Sequence, residues 1–338
     1  MLHSPGRQTN QVLLVVLFLV YATGIAALSV GSPSGAWVGI AHGIAGIAIV
    51  LLIPWKSRVV RAGLRRVQRG KQVSLILAAL ALFTLAIGVG SASGLVRTIA
   101  GKPALWLHIA VALALVPVLV WHVVARRARP RRTDLSRRAV LRAGAVAVGA
   151  AALYVADEAT IRLLDLPGAR RRFTGSYEQA SGRPEAMPTT IWLADSVPSI
   201  DPAQYRLTVI DGRGRRDLTL AQLRAYDRSV RATLDCTSGW YSEQDWTGVP
   251  LSELLHRTGD ARSVYVHSVS GYWVRYPIED LDGLLLATRV GGSALSAGHG
   301  FPARMVAPGR RGYWWAKWVD RIEVQTTPSW WQPPFPVS

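Results

Sequence analysis

Four apolar runs in the first 125 residues, Val12–Val30, Ala36–Trp55, Gln72–Gly90 and Ala104–Ala125, constrain this chain more than any other feature. Each has about the 20 residues that a helix needs to cross a hydrocarbon core, and none contains Asp, Glu, Lys or Arg. Trp37, Trp55, Trp106 and Trp121 lie near run ends, where interfacial aromatics belong. The expected first domain is an all-α transmembrane bundle of four spans over residues 1–130.

The charges give the bundle a direction. Lys56–Lys71 holds seven Lys and Arg and Arg126–Arg142 holds eight, whereas Gly31–Gly35 has none and Ser91–Pro103 has only Arg97 and Lys102. By the positive-inside rule the amino terminus is cytoplasmic and the fourth span returns there. The formal charge of +18 suggests a nucleic-acid binder until the chain is divided. Residues 1–156 carry 18 Lys and Arg against one acid, Asp134; residues 157–338 carry 21 against 20. The basic excess is therefore a topology signal, and nucleic acid is not an expected partner.

A fifth segment, Ala139–Ala156, is rich in Ala and only mildly apolar. Ser136-Arg137-Arg138-Ala139-Val140-Leu141-Arg142, just before and into it, resembles the twin-arginine export signal. Residues 131–156 are read as that signal with a fifth span, and residues 157–189 as a linker. Residues 190–338 are then an exported domain. This implies the plasma membrane of a bacterium, with the twin-arginine export machinery and the lipid bilayer as partners.

Three histidines fall in the spans: His42, His108 and His122. Ionisable groups at such depth are functional candidates. His42 and His108 both lie roughly 6–8 Å below the outer ends of their helices. Two imidazoles at one level can be the axial ligands of one haem b; the alternative is histidines satisfied by water or carbonyls. His122, 14 residues beyond His108, has no histidine opposite it at its own level. Gly39, Gly43 and Gly46 permit close helix packing or a macrocycle.

From Ile191 the pattern becomes short alternating runs broken by turns, which suggests an α+β domain. Strands are expected at Tyr205–Ile210, Ser263–Ser268 and Trp318–Gln325, a short helix at Leu218–Ala225, and a helical or irregular segment at Ile278–Ala287. This half contains Cys236, the only cysteine. It has no disulfide partner, so it is either a small buried hydrophobe or a functional thiol.

Several blocks decide between these. Tyr205-Arg206-Leu207 precedes Asp211-Gly212; Cys236 is followed ten residues on by Trp246-x-Gly248-Val249-Pro250-Leu251. Later come Gly291-Gly292, then His299-Gly300-Phe301-Pro302-x-Arg304, Pro308-Gly309, Gly312 and Lys317-Trp318-x-x-x-Ile322. In this order they resemble the oxidoreductase molybdopterin domain of sulfite oxidase, assimilatory nitrate reductase and the periplasmic methionine sulfoxide reductase catalytic subunit. The resemblance covers roughly Thr190–Thr326 and implies a molybdenum–molybdopterin cofactor, with Cys236 as thiolate ligand. It also implies that Thr237, His299, Arg304 and Lys317 hold the cofactor, and that Gly175, Ser176 and Tyr177 touch the pterin.

The chain departs from the sulfite oxidases directly after the cysteine. They place an Arg there; this chain reads Thr237-Ser238-Gly239-Trp240-Tyr241. Trp240, Tyr241 and Glu243 are expected to make a more neutral pocket, with Tyr241 and Tyr272 as catalytic candidates and Trp273 and Arg275 near the substrate. The expected function is a membrane-anchored molybdenum oxidoreductase that performs oxygen-atom transfer outside the cytoplasm, with quinone or another membrane redox carrier as partner. The rival is a non-catalytic membrane sensor or scaffold on the same fold.

Overall fold

The computed structural model describes residues 5–64, 71–125, 136–191 and 196–333. The expected boundary at 130/131, the first residues of the expected signal segment and Asp134 lie outside the described residues. The chain divides into two compact units, one of Met1–Ala27 with Ser34–Gly175, the other of Leu28–Pro33 with Ser176–Ser338.

Among the described residues, five long helices make up most of the first unit: α1 (Pro5–Ser29), α2 (Ala36–Leu64), α3 (Lys71–Ser93), α4 (Ala104–Ala125) and α5 (Arg137–Leu163). All five are long and apolar enough to cross a membrane. A two-strand hairpin, β1 (Thr98–Ile99) with β2 (Lys102–Pro103), joins α3 to α4. Helices α3 and α4 pack together, as do α2 and α5. The second contact depends on Gly43, where an added Cβ would stand 2.5 Å from the Tyr154 ring.

Helix α5 starts where the paired arginines stand, with Ser136 as N-cap accepting from the Ala139 amide. It runs seven residues past Ala156, and the Arg171–Glu158 ion pair ties its last turns to the chain that follows. The expected linker is therefore largely structured. It supplies the end of α5, a 3-10 turn at Pro167–Arg170, strand β3 (Tyr177–Glu178) and a second 3-10 turn at Pro184–Ala186.

The second unit is built on two mixed sheets. One has the order β5-β4-β13-β8-β9, from β4 (Arg206–Asp211), β5 (Gly214–Thr219), β8 (Ser263–Ser268), β9 (Trp273–Pro277) and β13 (Val319–Gln325). Its β4–β13 pair is parallel and its other pairs are antiparallel. The other centres on β7 (Trp240–Pro250), paired with β6 (Arg228–Cys236), β10 (Leu285–Val290) and β3; β11 (Ser293–Ala294) and β12 (Arg304–Val306) pair with β10. Two short helices, α6 (Leu220–Arg224) and α7 (Leu251–Leu254), follow strands. Thr219 caps α6 with Gln222 in a reciprocal capping box. The core between the elements includes Leu207, Trp246, Val249, Leu286, Met305 and Ile322.

Two expectations need correction. Ile278–Ala287 is a 3-10 turn (Ile278–Gly283) followed by the start of β10, because Leu285, Leu286 and Ala287 are buried on both faces between β7 and β12. The long β6–β7 hairpin, which carries Cys236, was not expected at all. Its buried face on β7 alternates Trp240, Ser242, Gln244 and Trp246, so half of the inward positions are polar. Gln244 is satisfied there by the Ala180 carbonyl (2.7 Å) and the Ser242 hydroxyl (2.8 Å).

Candidate functional site

Cys236 is the last residue of β6 and pairs with Trp240, the first of β7. Three residues, Thr237, Ser238 and Gly239, turn the chain; Gly239 adopts φ 99°, which a side chain would resist, and its amide bonds the Cys236 carbonyl at 3.1 Å. The hairpin tip thus presents the Cys236 sulfur to a cavity, with the Ser238 hydroxyl 3.1 Å away. Gly312 closes on the cysteine from the other side, where a Cβ would lie 3.1 Å from the Cys236 Cα.

His299, Arg304 and Lys317 line the same cavity, with Thr237. Arg304 is 1% exposed and lies between the rings of Trp246 and Trp315, at 5.0 and 5.7 Å. Its Nη1 and Nη2 donate to the His299 and Trp315 carbonyls at 3.1 and 3.3 Å, and its Nε has no partner among the described residues. No carboxylate among the described residues pairs with it either. Burial pushes its pKa down to about 10, so it remains cationic at neutral pH. A buried cation of this kind is costly without a counter-charge. It makes physical sense only if an anion completes the site.

His299 is neutral: burial lowers its pKa, and the cations Arg304 and Lys317 lower it further. Its Nε2 lies 3.0 Å from the Met187 carbonyl, so Nε2 carries the proton and Nδ1 accepts from the Ser296 hydroxyl at 2.8 Å. Lys317 donates to the Thr190 and Gly298 carbonyls at 2.9 and 2.6 Å. Thr190 also receives the Trp240 indole N–H at 3.0 Å, and its hydroxyl meets that of Ser238 at 3.1 Å. Pro188, near the end of the expected linker, and Thr190, the first residue of the expected domain, thereby form a wall of the cavity.

The remaining lining is aromatic and hydroxylic: Trp240, Ser268, Ser270, Tyr272 and Tyr313. The Tyr272 hydroxyl donates to the Tyr313 carbonyl. Tyr241 does not line the cavity, because neighbouring strand residues point to opposite faces and Trp240 takes the inward one. Glu243 pairs with Arg231, and Arg275 stacks on Tyr265 and Trp273; neither reaches the cavity. Gly175, Ser176 and Tyr177 are absent from the lining as well. Ser176 is wholly buried, donating to Asp235 at 2.7 Å, and Tyr177 is spent on pairing with β7. Thr190, Ser238, Ser270 and Tyr313 were not anticipated, being small polar or aromatic residues with no spacing that marks them.

In the first unit His42 and His108 meet, with ring centroids 6.1 Å apart and ring planes at 88°. His42 Nδ1 lies 3.0 Å from the Val20 carbonyl of α1, and His108 Nδ1 lies 2.9 Å from the Thr84 carbonyl of α3. Each Nδ1 is therefore a donor, which leaves the lone pair on Nε2. Gly24 and Gly88 make room for the rings: a Cβ at either would stand 3.0 or 3.1 Å from the Cε1 of the histidine it faces.

Residues 194–331 match the family described as oxidoreductase molybdopterin binding domain. The chain is 27% identical to mitochondrial sulfite oxidase of Rattus norvegicus over 175 residues, covering 40% of this chain and 32% of that protein. It is 35% identical to nitrate reductase [NADPH] of Neurospora crassa over 111 residues, covering 27% of this chain and 11% of that one. The sulfane dehydrogenase SoxCD structure from Paracoccus pantotrophus covers 39% of this chain and 41% of its own, at 25% identity and a TM-score of 0.37. The chain thus spans about a third of the length of the sulfite oxidases it matches. The residues present fit the group that such a domain takes: a soft sulfur and a buried, carboxylate-free guanidinium open on one cavity. On the match and on this donor set, residues 194–331 are an oxidoreductase molybdopterin-binding domain, related to those of sulfite oxidase and nitrate reductase.

Proposed function

We propose that this chain is a membrane-anchored, molybdenum-dependent oxidoreductase that works outside the cytoplasm. The observation that carries the reading is the meeting of Cys236 with His299, Arg304 and Lys317 around one cavity. The bound molybdenum centre supplies two-electron oxygen-atom transfer. Cys236 contributes a thiolate, which metal coordination keeps deprotonated. Arg304 and Lys317 would balance the anionic cofactor, and His299 bonds the Met187 carbonyl, next to the cavity-lining Pro188, through its Nε2.

The substrate side favours a neutral oxygen-bearing group, such as an S-oxide, over sulfite or nitrate. Thr237–Tyr241 carries no cation, and Trp240, Ser268, Ser270, Tyr272 and Tyr313 offer aromatic faces and hydroxyls. A free anion entering there gains no charge partner on that wall. The same cavity argues against a scaffold that keeps only the fold, since a scaffold has no use for a buried uncompensated Arg304.

The helical unit would anchor the chain, and His42 and His108 would hold a haem b, a one-electron carrier suited to exchange with quinone or another membrane carrier. The rings here are 6.1 Å apart, each with its Nδ1 tied to a main-chain carbonyl. Arg137 and Arg138, exposed at the start of α5, serve as the export signal.

Elemental analysis of the purified chain is expected to find about one molybdenum per protein, and Cys236→Ser is expected to abolish turnover. A metal-free wild-type protein would sink the reading. The reduced, detergent-solubilised protein should show haem bands that His42→Ala or His108→Ala removes without changing the molybdenum content. Bands that survive either substitution would reject the haem assignment. Arg137→Lys with Arg138→Lys should hold the second half in the cytoplasm.

A further inference from the structure

Directly behind Cys236 lies a buried ion pair that the proposed reaction does not use. Asp235 is 1% exposed and Arg311 is 2% exposed, and Arg311 Nη2 stands 3.4 Å from Asp235 Oδ1. The same nitrogen donates to the Cys236 carbonyl at 2.9 Å and to the Ser176 hydroxyl at 3.2 Å. Ser176 in turn donates to Asp235 Oδ1 at 2.7 Å. Asp235 and Cys236 are consecutive on β6, so their side chains leave the strand on opposite faces. The sulfur faces the cavity, and the ion pair grips the peptide that carries it.

Stability alone does not account for this arrangement. A buried ion pair is commonly matched or bettered by apolar side chains of the same volume, because both charges must leave water. Nor does the hairpin need it: nine β6–β7 register pairs and the Gly239 turn already fix the strand. The pair adds a main-chain hydrogen bond to the one peptide whose orientation sets the sulfur, and two opposite charges close to it in a medium of low dielectric. With both present their fields largely cancel. With one removed, the sulfur feels an uncompensated charge.

We propose that Asp235 and Arg311 are a positioning pair that sets the orientation and the electrostatic environment of the Cys236 sulfur. The proposal rests on Cys236 being the molybdenum ligand. It predicts a pattern of opposite signs. Asp235→Asn leaves a net cation beside the ligand and stabilises the electron-rich state, raising the molybdenum midpoint potential. Arg311→Gln leaves a net anion and lowers it. The double variant Asp235→Asn with Arg311→Gln returns towards the wild-type value.

The test is a redox titration of the molybdenum-loaded protein and its variants at one fixed pH, followed through the sulfur-to-metal absorption band. A structural role would lower thermal stability in both single variants and leave the potentials together. Shifts of the same sign, or no shift in either, overturn the proposal. Should either single variant fail to accumulate, Arg311→Lys keeps the charge but cannot hold carbonyl and hydroxyl at once. It should keep the wild-type potential with a changed band shape; a shifted potential with an unchanged band overturns the proposal. Wild-type protein without molybdenum would overturn both this and the functional reading, whereas a loaded wild type with unresponsive variants overturns only this one.

Discussion

The helical unit and the sheet unit hold their candidate ligands by different means. His42 and His108 stand on α2 and α4, each hydrogen-bonded to a carbonyl of a neighbouring helix, Val20 of α1 or Thr84 of α3. A helix satisfies its own backbone, so its carbonyls need nothing from the site and lend only a second lone pair. Cys236 stands at the tip of a hairpin whose surroundings are spent on fixing it: the Gly239 turn, the Arg311 bond to its carbonyl and the close approach of Gly312. Helices position a ligand by their axis; a hairpin tip must be positioned atom by atom. Tolerance to substitution should differ accordingly.

The strongest way to break that contrast is Gly248→Ala in β7. An added Cβ would lie 2.0 Å from the Leu286 carbonyl oxygen and 2.6 Å from the Ala287 Cα. Both obstacles are backbone of β10, the strand paired with Gly248, so no rotamer relieves them. The expected cost is about 4 kcal/mol or more, in the range reserved for strain at special positions. Molybdenum content and the thermal transition of the sheet unit should fall sharply, while the bands of the haem proposed at His42 and His108 stay. A loaded variant melting with the wild type would show that the hairpin yields as easily as a helix.

The same contrast governs what could be read from sequence. The helices were legible because their apolar runs are long, uniform and flanked by charge, and counting residues from the run ends pairs His42 with His108, whose rings meet. The sheet unit offered no such regularity. Tyr205–Ile210 and Ser263–Ser268 alternate cleanly and were found; β6 and β7 were not, because Ser242 and Gln244 occupy inward positions. Cys236, His299, Arg304 and Lys317 were accessible through the spacing of a known family. Thr190 and Arg311 were not, since they act through main-chain carbonyls and hydroxyls that only the folded chain assembles. Tyr241 stands one residue from the cavity-lining Trp240, which on a strand is the difference between the two faces.

A smaller effect is expected at Asp211, which ends β4 and binds Arg213, Arg216 and the His256 amide. Burial raises its pKa, but the hydrogen bonds from Arg216, the His256 and Arg213 amides and the Arg213 side chain outweigh it and hold the carboxyl well below its usual range. A depressed folded-state pKa contributes stability that is present above the unfolded value and is lost as pH falls towards the folded one. Asp211→Asn should therefore cost about 2 kcal/mol at pH 7, and the gap to wild type should begin to narrow only below about pH 4 and shrink further as pH falls. A gap independent of pH would assign the loss to packing. The bands of the proposed haem should again be indifferent, since the cluster lies wholly in the sheet unit.

The smallest expected difference tests the helical side on its own terms. Gly43 and Gly46 lie three residues apart on α2, yet their surroundings differ. A Cβ at Gly43 would meet Tyr154 ring carbons at 2.5 and 2.9 Å, whereas one at Gly46 would meet nothing within 4 Å. The obstacle at Gly43 is a side chain of α5, which can tilt aside with partial loss of the α2–α5 contact, at about 1–2 kcal/mol. Gly46→Ala should instead gain up to about 1 kcal/mol from reduced backbone entropy in the unfolded chain. Thermal melts in detergent, followed by helical circular dichroism, should thus separate the two variants by a few degrees in opposite directions. If Gly43→Ala abolished folding as Gly248→Ala is expected to, the helical unit would be as exacting as the hairpin, and the distinction between axis and atom would fall.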